Sequence, residues 1–337
     1  MIIPLSELTL DVFALGGMAA AVVAAYQSHL LQALLNGSAT PARYAEELGL
    51  DATATERILD VLAQVGVADC EHGSYVASTG LSQLDAQQLG GLDAIGALWS
   101  QVPAFLLHGE RLALMDGPPA AREAAYSGIV SGLAEVFAQG ARQLAATLAG
   151  SPTQILDVGA GSGIWSLAMA EHYPHARVTA LDLPGVLPAF RLQAEHLGLA
   201  DRTLTLAGDF HQVELPPQRF DRVVLANVLH LEPPAQAAAL IRRVAASPVN
   251  GGDLVIVDML GDGTAAGERA RAIYALHLAL RTRQGKVHPL SELQAWVEQA
   301  GLLPGEVIAL STPPGMGALV ARAPLHEAST KDRSEEE

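Results

Sequence analysis

The stretch Asp157-Val-Gly-Ala-Gly-Ser-Gly163 combines one acid with three glycines at alternate positions, and Asp182 follows nineteen residues beyond Gly163. Such a turn lets a ligand approach the backbone closely, and an acid at that distance falls where ribose hydroxyls bind. A pyrophosphate site of the G-x-G-x-x-G type requires glycine at 164, where this chain has Ile164, and no G-x-x-x-x-G-K-[ST] loop is present. An acid at 157 repels phosphate and suits an ammonium group, unless it orders the loop by accepting backbone amides. Gly208-Asp209-Phe210 offers a carboxylate for an adenine amino group and a ring for its face, unless Asp209 only caps a turn. S-adenosylmethionine, with a sulfonium, an ammonium and a ribose diol but no phosphate, meets these demands. His211, His230, His277 and Asp258 lack the sequential spacing of metal ligands, so no metal site is expected.

These residues need strands and helices to position them. Ile155, Leu156 and Val158 read as a buried strand leading into the glycines, and Val178 to Leu181 as a second strand ending in Asp182. Beyond it, strand patterns at Leu204–Ala207, Asp221–Ala226, Asp253–Asp258, Glu306–Leu310 and Gly317–Ala323 alternate with helical patterns at Val186–Leu197, Pro234–Ala245 and Pro289–Ala300. Strands separated by helices of this length imply a parallel, doubly wound sheet, in which late strands are free to run antiparallel.

The first half is helical in pattern. Residues 8 to 35 are helical in pattern, with apolar residues from Leu8 to Leu34 at three- and four-residue spacing, as ordinary core or as an intersubunit helix. Ser38 or Thr40 caps a helix opened by Pro41, a second helix follows from Thr53, and residues 66–70 and 74–78 form a small hairpin. Two helices and a hairpin suggest a winged helix. Between Ser38 and Gly80, however, Arg43 and Arg57 face seven acids, which leaves little to meet phosphates. The whole chain carries a formal charge of −16 over 337 residues, against a nucleic-acid or anionic-membrane partner. Its one cysteine, Cys70, excludes a disulfide framework, and the absence of a basic signal start and of a long apolar run predicts a cytoplasmic protein. Residues 81–149 are helical again, and Trp99, Phe105, Tyr126 and Phe137 supply aromatic rings for one wall of a pocket.

The glycine loop, Leu181-Asp-Leu-Pro184, Gly208-Asp-Phe210, Val228-Leu-His230 and Gly251-Gly-Asp-Leu-Val-Ile-Val-Asp258 together resemble the class I small-molecule O-methyltransferases. That likeness extends over nearly the whole chain. It implies a mainly α, winged-helix-like dimerisation domain over residues 1–90 and a helical connector over 91–150 lining the acceptor pocket. A Rossmann-like seven-stranded methyltransferase domain would occupy 151–325, and residues 326–337 would form a disordered tail. By the same likeness the enzyme is a homodimer, S-adenosylmethionine is its cofactor and a small molecule with an aromatic or polyketide-like skeleton is its acceptor. The resemblance assigns the cofactor to Asp157, Gly159, Gly161, Gly163, Asp182, Leu183, Gly208, Asp209, Phe210 and Asn227. It makes His230 the general base and Asp258 its orienting acid. The acceptor pocket falls to Trp99, Phe105, Tyr126, Ile129, Tyr274, His277, Leu278 and Arg281.

The chain departs from the family pattern at His230-Leu-Glu-Pro-Pro234, at Val287 and at Asn227, which implies a base with fewer carboxylate partners. Rival readings are transfer to carbon or nitrogen, a non-methylating relative that hydroxylates or rearranges its substrate, and a winged-helix regulator.

Overall fold

The strand β3 (Gln154–Val158) is central because Ile155, Leu156 and Val158 are fully buried, as a parallel strand covered on both faces requires. The computed structural model describes residues 5–84, 95–112, 115–127, 130–261, 263–311 and 313–325. The expected tail at 326–337 lies outside the described residues. By its internal contacts the chain divides into two compact units, Met1–Glu110 and Arg111–Glu337. The division falls within the 91–150 stretch expected to form a separate connector.

In the N-terminal unit, helices Pro41–Leu48 and Ala52–Gln64 precede an antiparallel hairpin of β1 (Ala68–Glu71) and β2 (Ser74–Ala77). Thr40 caps the first of these helices, its Oγ1 accepting the amide of Arg43 at 3.4 Å, and Pro41 supplies the first turn. The helical pattern over residues 8–35 falls in two helices, Leu5–Gln27 and Leu30–Asn36, bent by 70° at the break. His29 takes a left-handed backbone at the break, which turns Leu30, Leu31 and Leu34 into this unit's own core. Among the described residues, no single helix is long and apolar enough to cross a membrane.

The C-terminal unit is built on a seven-stranded sheet. With β4 (Arg177–Asp182), β5 (Thr203–Ala207), β6 (Phe220–Ala226), β7 (Pro248–Met259), β8 (Leu303–Ala309) and β9 (Met316–Arg322), the order is β5-β4-β3-β6-β7-β9-β8. The first five strands in that order are parallel, and β9 is antiparallel to both β7 and β8. Alternate residues of β7 enter opposite cores: Val255 and Val257 on one face, Leu254 and Ile256 on the other. The first core takes Leu144, Leu167 and Phe190 from the helices Val130–Thr147, Ile164–His172 and Leu187–His196. The second takes Leu240, Ile241 and Val297 from Pro234–Val244 and Leu290–Gln299. The chain leaves β3 toward β4 on one side and later returns to its other side with β6. That reversal opens a crevice at the carboxyl ends of β3, β4 and β6.

Near the start of β6 and midway along β7, Arg222 is buried beside Asp253, with Nη2 to Oδ2 at 3.1 Å, and donates to the carbonyl of Ala149.

Candidate active site

The crevice contains a cavity of about 340 Å³, within the range of small-molecule sites. Gly159 and Gly161 form its floor beside Ala160 and Ser162, Asp182 and Leu183 enter from the end of β4, and Phe210 from the loop after β5. Ala226 and Asn227 close it from the end of β6, and Trp165, Phe137 and Tyr126 come from the covering helices. Gly159 has φ +72°, and a Cβ there would lie 2.6 Å from Val228 Cγ2, so only glycine brings the chain through this turn. Asp182 accepts the amides of Gly161 at 2.8 Å and of Leu183 at 2.7 Å. Burial raises its pKa, and those two amides oppose the shift.

Four residues expected at the cofactor, Asp157, Gly163, Gly208 and Asp209, are not among those that line the cavity. Asp157 is buried and accepts a hydrogen bond from the Ser166 hydroxyl at 2.5 Å, outside the cavity lining. Burial pushes its pKa up to about 7, with the Ser166 hydrogen bond acting against the rise. The pleat is the cause: Asp157 shares the face of Ile155, which packs under the helix Ile164–His172. Gly163 starts that helix and packs on Phe190, while Gly208 lies under Val213 and donates to the carbonyl of Asp182. Asp209 is held by Arg122, Nη2 to Oδ2 at 2.8 Å, and accepts the amide of His211.

Arg122 and Glu232 are lining residues that the sequence did not single out. Arg122 also stands 4.0 Å from Glu232 and over the Phe210 ring at 5.7 Å, while Glu232 meets His211 Nε2 at 2.9 Å. Their significance arises only when the helix Pro119–Ser127 folds beside the loops after β5 and β6. Trp165 was missed as well. Its indole donates to Asn227 Oδ1 at 3.1 Å, and Asn227 has φ +57° at the strand end. Asn227 Nδ2 is buried without a well-formed hydrogen bond, although the amide lies close enough to the Tyr274 hydroxyl to act on its ionisation.

His230 sits in a single 3₁₀ turn, Leu229–Leu231, just beyond β6 and buried against the end of β7. Its Nδ1 is 2.7 Å from Asp258 Oδ1. A carboxylate only accepts, so the ring proton resides on Nδ1 and Nε2 presents its lone pair. That lone pair meets the Tyr274 hydroxyl at 3.2 Å, and the two rings pack edge to face. Burial, above all, raises the pKa of Tyr274. The turn carrying His230 is tied from behind: Lys286 donates its amide to the His230 carbonyl at 2.8 Å, and His288 Nε2 meets the carbonyls of Leu229 and Glu232.

The expected acceptor residues separate into groups. Tyr126 lines the cavity, whereas Tyr274, His277 and Arg281 lie on the helix Ala265–Arg281 and reach the site through the Tyr274–His230 contact. Leu278, expected in the pocket, is a core residue packed with the sheet. Trp99 and Phe105 belong to the N-terminal unit. Ile129 lies outside the described residues. Among the described residues, no three His, Cys, Asp or Glu side chains converge as metal ligands.

A family model described as an O-methyltransferase domain matches residues 127–303. The tetracenomycin polyketide synthesis 8-O-methyl transferase TcmO of Streptomyces glaucescens is 24% identical over 300 residues, covering 83% of this chain and 86% of that enzyme. The acetylserotonin O-methyltransferase of Mus musculus is 33% identical over 156 residues, 45% of this chain and 40% of that protein. Among solved structures, human N-acetylserotonin methyltransferase in complex with SAM superposes with a TM-score of 0.74 at 20% identity, covering 96% of this chain and 99% of that one.

Proposed function

This chain belongs to the O-methyltransferase family, and on that premise we propose that it moves the methyl group of S-adenosylmethionine to a hydroxyl of an aromatic or polyketide-like small molecule, with His230 as general base. The observation that carries the reading is the buried Asp258–His230 pair at the carboxyl ends of the strands that also present Asp182 and the bare Gly159 turn.

The donor set suits this cofactor. Asp116, Asp182 and Glu232 line the cavity against one guanidinium, Arg122, which is itself taken up by Asp209. An acidic cavity favours a ligand with ammonium and sulfonium charges over one with phosphates. Asp182 would receive the ribose hydroxyls, the backbone at Gly159 and Gly161 would border the amino-acid end, and Phe210 and Leu183 would flank the base. When bound, S-adenosylmethionine supplies an electrophilic methyl group on sulfur.

The remaining chemistry belongs to the chain. A phenol with a pKa of about 10 is protonated at neutral pH, so its oxygen gains from losing the proton as it attacks. His230 Nε2 receives that proton, and Asp258 fixes the tautomer and steadies the imidazolium. The Tyr274 hydroxyl occupies the same lone pair, so an acceptor hydroxyl takes its place at Nε2. Phe137, Trp165 and Tyr126 exclude water around the transfer, where opposite charges cancel and a low dielectric helps.

Incubation with S-adenosylmethionine and a panel of hydroxylated aromatic acceptors tests the reading. Formation of S-adenosylhomocysteine with an O-methylated product supports it. Methylation at carbon or nitrogen, or S-adenosylmethionine binding without any product, overturns it.

The partner of this chain is proposed to be a second copy. Val12, Phe13 and Leu15 are 65%, 81% and 63% exposed on the first helix, an apolar surface that a homodimer would cover. Sedimentation of the full chain as a monomer that Phe13→Asp leaves unchanged would refute it.

A further inference from the structure

The helix Ala265–Arg281 carries donors that no carboxylate meets among the described residues. Arg281 makes one side-chain hydrogen bond, Nη1 to His277 Nε2 at 2.9 Å, and has no carboxylate within ion-pair distance among the described residues. The acids nearby are engaged: Asp258 holds His230, and Asp116 accepts the amides of Arg283 and Gln284 at 2.6 and 2.7 Å.

A guanidinium only donates, so His277 Nε2 must accept and its proton stands on Nδ1. That Nδ1 is buried without a partner. Burial first, then Arg281 and His230, push the His277 pKa down to about 4, so the ring stays neutral and keeps this tautomer near neutral pH. Tyr126 has a buried hydroxyl that is likewise unpartnered, lines the cavity and lies close enough to feel the charge of Arg281. The Tyr126 hydroxyl and His277 Nδ1–H therefore lack any acceptor, and Arg281 has only the neutral His277 nitrogen, next to a residue that lines the cavity. Unpaired buried polar groups cost stability, and a half-buried guanidinium more than most.

We infer that Arg281, His277 Nδ1–H and the Tyr126 hydroxyl form an acceptor subsite for an anionic oxygen group, so that the molecule methylated at His230 is a hydroxylated aromatic carrying a carboxylate. The inference rests on the methyltransferase reading above and narrows its substrate class. A carboxylate offers lone pairs to several donors at once and neutralises the guanidinium on entry, which a neutral phenol does not. It also gives discrimination: an acceptor lacking the anion would leave Arg281 without an anionic partner.

The test uses the full chain saturated with S-adenosylhomocysteine and three probes: 1-hydroxy-2-naphthoate, its methyl ester and 1-naphthol. Calorimetric binding should favour the carboxylate by at least about tenfold over both neutral probes. Arg281→Gln should abolish that preference, while Arg281→Lys, which restores charge without the planar fork, should keep part of it. Equal affinity for the three probes, no measurable binding of the carboxylate, or an undiminished preference in Arg281→Gln overturns the subsite. Methyl transfer to 1-naphthol without carboxylate preference would sink the subsite and leave the methyltransferase reading standing. Failure of the wild-type chain to bind S-adenosylhomocysteine would sink both.

Discussion

His230 Nδ1 stands 2.7 Å from Asp258 Oδ1, both residues are buried, and the second ring nitrogen meets the Tyr274 hydroxyl at 3.2 Å. One nitrogen is thus committed to holding the ring and the other is left to take a proton. Replacing His230 by Ala should lower kcat for methyl transfer by about 10²–10⁴-fold, the usual contribution of a general base. Asp258→Asn should lower it by about 10²-fold or more, because an amide does not enforce the Nδ1–H tautomer. Steady-state release of S-adenosylhomocysteine measures both, and full activity in either variant would remove that residue from the mechanism.

Gly159 should tolerate no side chain. In Gly159→Ala the left-handed backbone costs about 1–3 kcal/mol, and the methyl meets Val228. The turn must shift, and with it the floor of the cavity. Calorimetry with S-adenosylhomocysteine should register an affinity loss of about tenfold or more. Unchanged affinity would place the cofactor elsewhere.

Asp157 predicts a pH dependence of stability. Its folded pKa is raised from 3.8 to about 7. Between those values the folded chain holds a proton that the unfolded chain has released, so this residue's contribution falls as pH rises through the window. Asp157→Asn removes the titration. Relative to wild type, the variant should gain on the order of 2–4 kcal/mol between pH 4 and pH 8, read from urea unfolding at each pH. A constant difference across that range would show that Asp157 stays ionised.

The Arg222–Asp253 pair should matter for stability alone. Asp253→Ala leaves a fully buried guanidinium without its carboxylate, at a cost of about 3–5 kcal/mol. The pair lies near the start of β6 and midway along β7, away from the carboxyl ends that bear the site, so KM should hold while the unfolding midpoint falls. A shift in KM with an unchanged midpoint would contradict this.

The sheet was legible in the sequence because its strands are short apolar runs between breakers, and β3, β4 and β6 fall within a residue of the expected spans. The glycine turn and Asp182 were legible for the same local reason. What failed was direction and distance. Asp157 adjoins the glycines in sequence, but alternation along β3 turns it to the face of Ile155, a signal that was present in the pleat. Arg122 carried no local signal, since its partner Asp209 is 87 residues away. Leu278 shares a helix with His277 and Arg281, yet a helix has two sides and Leu278 faces the core. The break at His29 lacked glycine or proline and could be found only from what the two helices bury.

The strap behind His230 ties two design variables together. Residues 285–288 come three residues after the helix that bears Tyr274, His277 and Arg281. They leave no room at Gly285, where a Cβ would stand 2.8 Å from the His230 carbonyl oxygen. The part of the chain that reads the acceptor and the part that aligns the base are therefore one continuous mechanical piece. Exchanging substrate range with a relative is a matter of transplanting residues 265–288 as a cassette, because a graft ending at Arg281 would import a new reader and leave it bolted to the old hinge.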